Sequence, residues 1–175
     1  MNGWQQIAET VRLEFSDVAD VSQATRIAVR LIVAALLGGV LGFERETQGK
    51  SAGLRTHMLV ALGAALFVIT PQQAGISETD LTRVLQGLIA GIGFLGAGTI
   101  VKSEREEDVR GLTTAAGIWM TAAIGVAAGM GREATAVLST LLALAILTLL
   151  PKFAGMFQKI PQEPGAGKRL KLPDE

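Results

Sequence analysis

The residues able to do chemistry gather at three places in this 175-residue chain, each beside an apolar run. Glu44, Arg45 and Glu46 close the first run, Arg55, Thr56 and His57 open the second, and Arg110, Thr113 and Thr114 open the fourth. Arg55 and Arg110 fall where helices would begin. A helix start carries partial positive charge, so a cation there needs a compensating anion. Glu44 is the expected internal partner of Arg55; a phosphate, a lipid headgroup or a carboxylate on a partner protein is the alternative. The threonines also have a plain structural use as caps for exposed helix amides.

His57 is the only histidine, and cysteine is absent. A lone imidazole at the membrane interface is expected to be a hydrogen-bonded surface residue rather than a proton relay, and nothing else supplies a transition-metal ligand set. The acidic run Glu104, Glu106, Glu107 and Asp108 offers the oxygen ligands that magnesium prefers. Interleaved with Arg105 and Arg110, it is expected to be a solvated, self-paired loop instead. The chain has no P-loop and no Ser-His-Asp arrangement. Residues 91–96, GIGFLG, match the dinucleotide-binding pattern, but no strand precedes them and Ala116 stands where a ribose-binding acid belongs. The expectation is therefore no enzyme, no cofactor and no bound metal.

The elements that must position these residues follow from the apolar runs. Stretches 31–43, 58–77, 84–101, 111–131 and 134–151 contain no charged side chain. A bilayer core takes about 20 apolar residues in a helix. The last four stretches meet or approach that length, and the first does so if it starts near Ile27 and Arg30 snorkels to the surface. A soluble core helix would show a polar stripe at each turn, but LLALAILTLL (141–150) offers only Thr148. The expected fold is thus all-α and polytopic, with about five transmembrane helices in residues 25–151. Residues 1–24 precede them as an amphipathic segment at the membrane interface, in which Trp4, Ile7, Val11, Phe15 and Val18 recur at helical steps. Residues 152–175, rich in proline, glycine and charge, are expected to form a flexible cytoplasmic tail.

Charge is balanced at 16 basic and 16 acidic residues, which removes the basic excess of a nucleic-acid binder. Five crossings divide that balance unevenly. One face collects five basic and seven acidic residues, the other eleven basic and nine acidic. The positive-inside rule then predicts an N-terminus outside and a C-terminus in the cytoplasm.

Glycines account for the packing. Gly38 and Gly42, Gly87 and Gly91, and Gly125 and Gly129 each stand four apart, a spacing that lets helix backbones approach where lipid supplies no hydrophobic drive. Gly87, Gly91, Gly93, Gly96 and Gly98 crowd the third run, which suits close packing or, alternatively, the lining of a narrow path. Internal or homo-oligomeric packing is the expectation. Two hairpins also carry similar text: GVLG (39–42) with GLRT (53–56), and GFLG (93–96) with GLTT (111–114). Either a parallel duplication of helical hairpins or chance similarity of glycine-rich helix ends accounts for this.

GGVLGFERE (38–46), AGLRTHMLVALGAALF (52–67), RVLQGLIAGIGFLGAGTIV (83–101) and VRGLTTAAGIWMTAAIGVAAG (109–129) resemble, in order, the signature blocks of the MgtC/SapB family of bacterial inner-membrane proteins. The resemblance implies a five-helix membrane domain, a link to survival under low magnesium or inside macrophages, and, for the family's virulence member, inhibition of the F-type ATP synthase. Those virulence members carry a soluble domain after the fifth helix, whereas about two dozen residues follow Pro151 here. Thr113 and Met120 also stand where such sequences often have Asn and Cys. The shorter SapB-like members are the nearer comparison. The resulting expectation is a multi-pass protein of the bacterial inner membrane that contacts lipids, forms homo-oligomers and regulates another integral membrane protein. A small oligomeric transporter or channel for magnesium or another ion is the alternative.

Overall fold

The computed structural model describes residues 2–16, 18, 20–102 and 109–157. Among the described residues six helices follow one another: α1 (Gly3–Glu14), α2 (Val21–Thr47), α3 (Leu54–Gln73), α4 (Glu78–Ala97), α5 (Leu112–Gly129) and α6 (Glu133–Phe157). Between α4 and α5 lies a two-residue antiparallel ladder, β1 (Val101–Lys102) and β2 (Val109–Arg110), with Val101 opposite Arg110. The acidic run at 104–108 and the tail at 158–175 lie outside the described residues.

Local chemistry sets the helix ends. Asp20 accepts a hydrogen bond from the Gln23 amide at 2.7 Å to start α2, and Ser77 accepts from the Asp80 amide at 3.2 Å to start α4. The ends of α2, α3 and α5 share one device. Gly49, Gly75 and Gly131, all at positive φ, follow the caps, and the next amides (Lys50, Ile76, Arg132) reach back to the carbonyls of Arg45, Pro71 and Ala127. This is the Schellman arrangement, which satisfies carbonyls that would otherwise be stranded at a membrane boundary.

Helices α2, α3 and α5, and α6 as far as Pro151, are each long and apolar enough to cross a membrane. The third expected span differs. Helix α4 has 20 residues, but Glu78, Asp80 and Arg83 occupy its first two turns and leave it less apolar than the other four. It also ends at Ala97, earlier than the charge-free run, because residues 99 onward turn into the ladder. Pro151 does not stop α6, which continues to Phe157. A proline inside a helix removes one backbone bond without preventing the next turns from forming.

The first compact unit, up to Leu144, is inside-out relative to a soluble protein. Many of its buried positions are small, Ala34, Ala61, Ala64, Ala65, Ala122 and Ala128 among them, beside a few larger ones such as Leu41, Ile118 and Ile124. Large apolar side chains such as Leu36, Phe43, Leu59 and Phe67 point outward. Water would penalise that arrangement by roughly 25 cal/mol for each Å² of exposed apolar surface; lipid tails do not. The second unit, from Ala145, comprises the remainder of α6 among the described residues.

Helix α1 carries its apolar residues unburied, with Trp4 at 80% and Phe15 at 82% exposure. On its polar side Arg12 donates to Glu9 at 2.8 and 3.1 Å, and this hydrogen-bonded cation holds the Glu9 carboxyl below its ordinary pKa. An amphipathic helix whose apolar side is left uncovered by the described residues suits the membrane interface.

Candidate functional site

Helix α3 lies between α2 and α5, and glycines bring the three backbones together. A Cβ added at Gly38 would stand 2.6 Å from the His57 carbonyl oxygen and 2.8 Å from the Ala61 Cβ; one at Gly42 would stand 2.7 Å from the Leu54 Cα. On the other side of α3, a Cβ at Gly125 would collide with the Ala61 carbonyl and lie 2.8 Å from its Cα, while one at Gly129 would meet the Ala65 carbonyl at 2.7 Å. Ala61 is therefore pressed by backbone from both neighbours. This close approach of backbones is made at Gly38, Gly42, Gly125 and Gly129.

It does not extend to the glycines of α4 in the same way. Gly96 makes ordinary contact with Ala115, and Gly98 approaches only carbonyls of its own helix end. Gly87, Gly91 and Gly93 have nothing within 4 Å of an added Cβ. An apolar gap of about 160 Å³, lined in part by Leu88, Ile92, Trp119 and Val126, also separates α4 from α5.

The polar cluster assembles where α2 ends and α3 begins. Glu44 pairs with its neighbour Arg45, not with Arg55. The guanidinium makes a bidentate contact, Nε to Oε2 at 2.5 Å and Nη2 to Oε1 at 2.8 Å, with the two side chains only 4% and 11% exposed. Short range decides this choice, since adjacent side chains at a buried helix end meet without a loop having to close. Glu46 supplies the anion expected at the start of α3: its Oε2 accepts from the Leu54 amide at 2.7 Å, and it packs against Gly53, where a Cβ would stand 2.6 Å from the same oxygen. Arg55 is exposed and has no ion pair among the described residues.

His57 is fully buried, not at the surface as its place beside a charged loop suggested, and it is only half satisfied. Its Nδ1 lies 3.0 Å from the Gly53 carbonyl oxygen, which can only accept, so Nδ1 carries the proton. In the neutral ring Nε2 then presents a lone pair, and among the described residues that atom has no hydrogen-bond partner. It faces α5 beside Gly117, where an added Cβ would come within 3.6 Å. The charges of Arg45 and Glu44 also act on the imidazole. Thr114 is buried one turn before Gly117, whereas Thr113 and Arg110 are exposed and Thr56 is half-buried. None of the threonines caps α5; Gly111 holds that position at φ 96°. Its own hydrogen would be replaced, in any other residue, by a Cβ driven into the Thr99 carbonyl.

Three residues matter more than their spacing suggested. Arg30 does not merely snorkel: its Nη1 donates to the Gly129 carbonyl at 3.0 Å and to Gln72 Oε1 at 3.2 Å, tying α2 to the ends of α5 and α3. As the last charge before the 31–43 run, with polar Gln72 ending the next span, it carried a signal that such a contact was available. Gly117 sits eight residues before Gly125, in phase with the α5 packing face, and only the ring of His57 explains it. Gly53 is fixed by the Glu46 cap.

A profile of the MgtC family matches residues 31–156, from within α2 to near the end of α6, and so takes in the whole polar cluster. YhiD of Escherichia coli K12, whose name links that protein to magnesium transport, is 40% identical over 127 residues, covering 68% of this chain and 58% of YhiD. SrpB of Synechococcus elongatus is 47% identical over 116 residues, covering 60% of this chain and 64% of SrpB. MgtC of Salmonella typhi is 39% identical over 144 residues, covering 82% of this chain and 61% of that protein. The chain thus spans somewhat more than half the length of these curated relatives. No solved structure matches it. With the profile covering most of the chain, and four apolar helices able to cross a bilayer, this protein belongs to the MgtC family of bacterial inner-membrane proteins.

Proposed function

We propose that this chain is a non-enzymatic regulator that binds a transmembrane helix of another integral membrane protein through the glycine face of α4, and that it serves adaptation to magnesium limitation or related stress. The observation that carries the reading is the division among the glycines. Those of α2 and α5 are used inside the bundle, whereas an added Cβ at Gly87 or Gly91, one helical turn apart, would meet nothing within 4 Å, and Phe94, on the same side of α4, is 85% exposed. In lipid, helix association depends on close van der Waals packing, which a smooth glycine surface with an aromatic knob permits. Exposed Arg55 adds a cation for an acidic group on the partner. The magnesium connection rests on family membership and on the name that YhiD carries.

Crosslinking of the full-length protein in its native membrane under magnesium starvation tests this. A specific partner should be captured, and Gly91→Leu should abolish capture while Gly63→Leu, at an equally open site on α3, leaves it intact. Capture that survives Gly91→Leu would count against the reading. A second reading, a small oligomeric ion transporter, is favoured by the same YhiD name. It requires that purified protein move magnesium or protons across liposomes, with flux lost in Glu44→Ala, and that crosslinking yield only copies of this chain.

A further inference from the structure

At the end of the bundle opposite His57, α2 and α3 enclose an open polar cavity of about 340 Å³. At about 30 Å³ for each molecule, it has room for roughly ten waters. Two arginines one helical turn apart, Arg26 and Arg30, line it together with Ser22, Gln72 and Gln73. Arg30 is held in place from behind, with Nη1 on the Gly129 carbonyl and Gln72 and its guanidinium against Gly131. Arg26 donates to the Ser22 hydroxyl at 3.2 Å. Among the described residues neither guanidinium forms an ion pair. The acidic residue in the lining, Asp20, has an oxygen occupied at the start of α2, where it accepts from the Gln23 amide at 2.7 Å.

The cavity therefore presents two cations against one committed carboxylate, with amide and hydroxyl groups between them. Its level in the membrane is also defined. Arg26 and Arg30 immediately precede the charge-free run 31–43, and Gln72 and Gln73 lie near the close of the run 58–77. That is where hydrocarbon gives way to water. We infer that this cavity binds a phosphate-type oxyanion, carried on a phospholipid headgroup or free in solution. The planar donor fork of arginine suits such an anion, and a helix N-terminus beside it adds favourable potential. A phosphate seated there would draw α2 and α3 together at the end where Arg30 already joins them to α5.

The test uses the full-length protein in detergent, with native mass spectrometry to count retained phosphatidylglycerol and a thermal-shift assay in inorganic phosphate. Arg26→Gln removes one cation and spares the Arg30 contacts; Gln73→Glu places a carboxylate in the cavity. Losing one charge-assisted contact should lower phosphatidylglycerol retention about tenfold in each variant. If millimolar inorganic phosphate displaces the lipid and raises the melting point of the unsubstituted protein only, the site takes free phosphate as well. If it does neither, while the lipid is lost from both variants, the headgroup is the source. Retention that is unchanged in both variants, or matched by diacylglycerol, which lacks the phosphate, overturns the assignment.

Discussion

At the residue scale, the contrast between glycines on equal spacing is the sharpest result. Gly125→Ala would force a methyl into the Ala61 backbone, and overpacking of this kind costs about 1–3 kcal/mol, read as a lower thermal midpoint in detergent. Gly91→Ala meets open space and gains helix propensity of about 0.8–1 kcal/mol, so its midpoint should hold or rise. The buried Glu44–Arg45 pair gives a second expectation. Glu44→Ala leaves a guanidinium desolvated and alone, at about 3–5 kcal/mol, whereas Glu44→Leu combined with Arg45→Met should recover much of that loss. A double variant no more stable than the single one would show that the pair contributes something beyond charge matching. The sequence located this cluster but not its pairing. Glu44 had two cations within reach of its helix end, and the structure pairs it with the adjacent, buried Arg45.

At the element scale, the helices were legible where apolar runs met or approached a bilayer's thickness, and least legible where a run mixed with charge. Helix α4 begins six residues before its charge-free run because Ser77, Glu78 and Asp80 make a strong helix start, and capping chemistry does not depend on hydropathy. Nor could periodicity tell which glycine face finds a partner. The spacing on α4 and on α5 is the same, and the difference lies in what stands opposite. The connection into α5 supplies a further prediction. Gly111 combines a positive φ with a carbonyl where a side chain would go, so Gly111→Ala should cost at least about 1–3 kcal/mol of local strain. Hydrogen exchange should show it as faster exchange at the 115–118 amides, with those at 57–60 unchanged. Equal acceleration in both segments would mean that the hairpin is not a local unit.

At the scale of the whole molecule, charge and burial point to one arrangement in the membrane. The predicted orientation places the 48–52 loop in the cytoplasm and the 74–77 loop outside. The chain has no cysteine, so single replacements read this directly. Thr79→Cys should react with an impermeant maleimide in intact spheroplasts, and Ser51→Cys only after lysis. The reverse pattern would invert the topology. The sandwiching of α3 has one more implication, concerning the order of assembly. Helices α2 and α3 are neighbours in the chain and can pair as soon as both have left the ribosome. The second side of α3, along Ala61 and Ala65, must wait for α5, with all of α4 synthesised in between. During that interval the nascent hairpin exposes a smooth strip suited to any small-residue helix, so faithful folding depends on α5 reaching it before a foreign helix does.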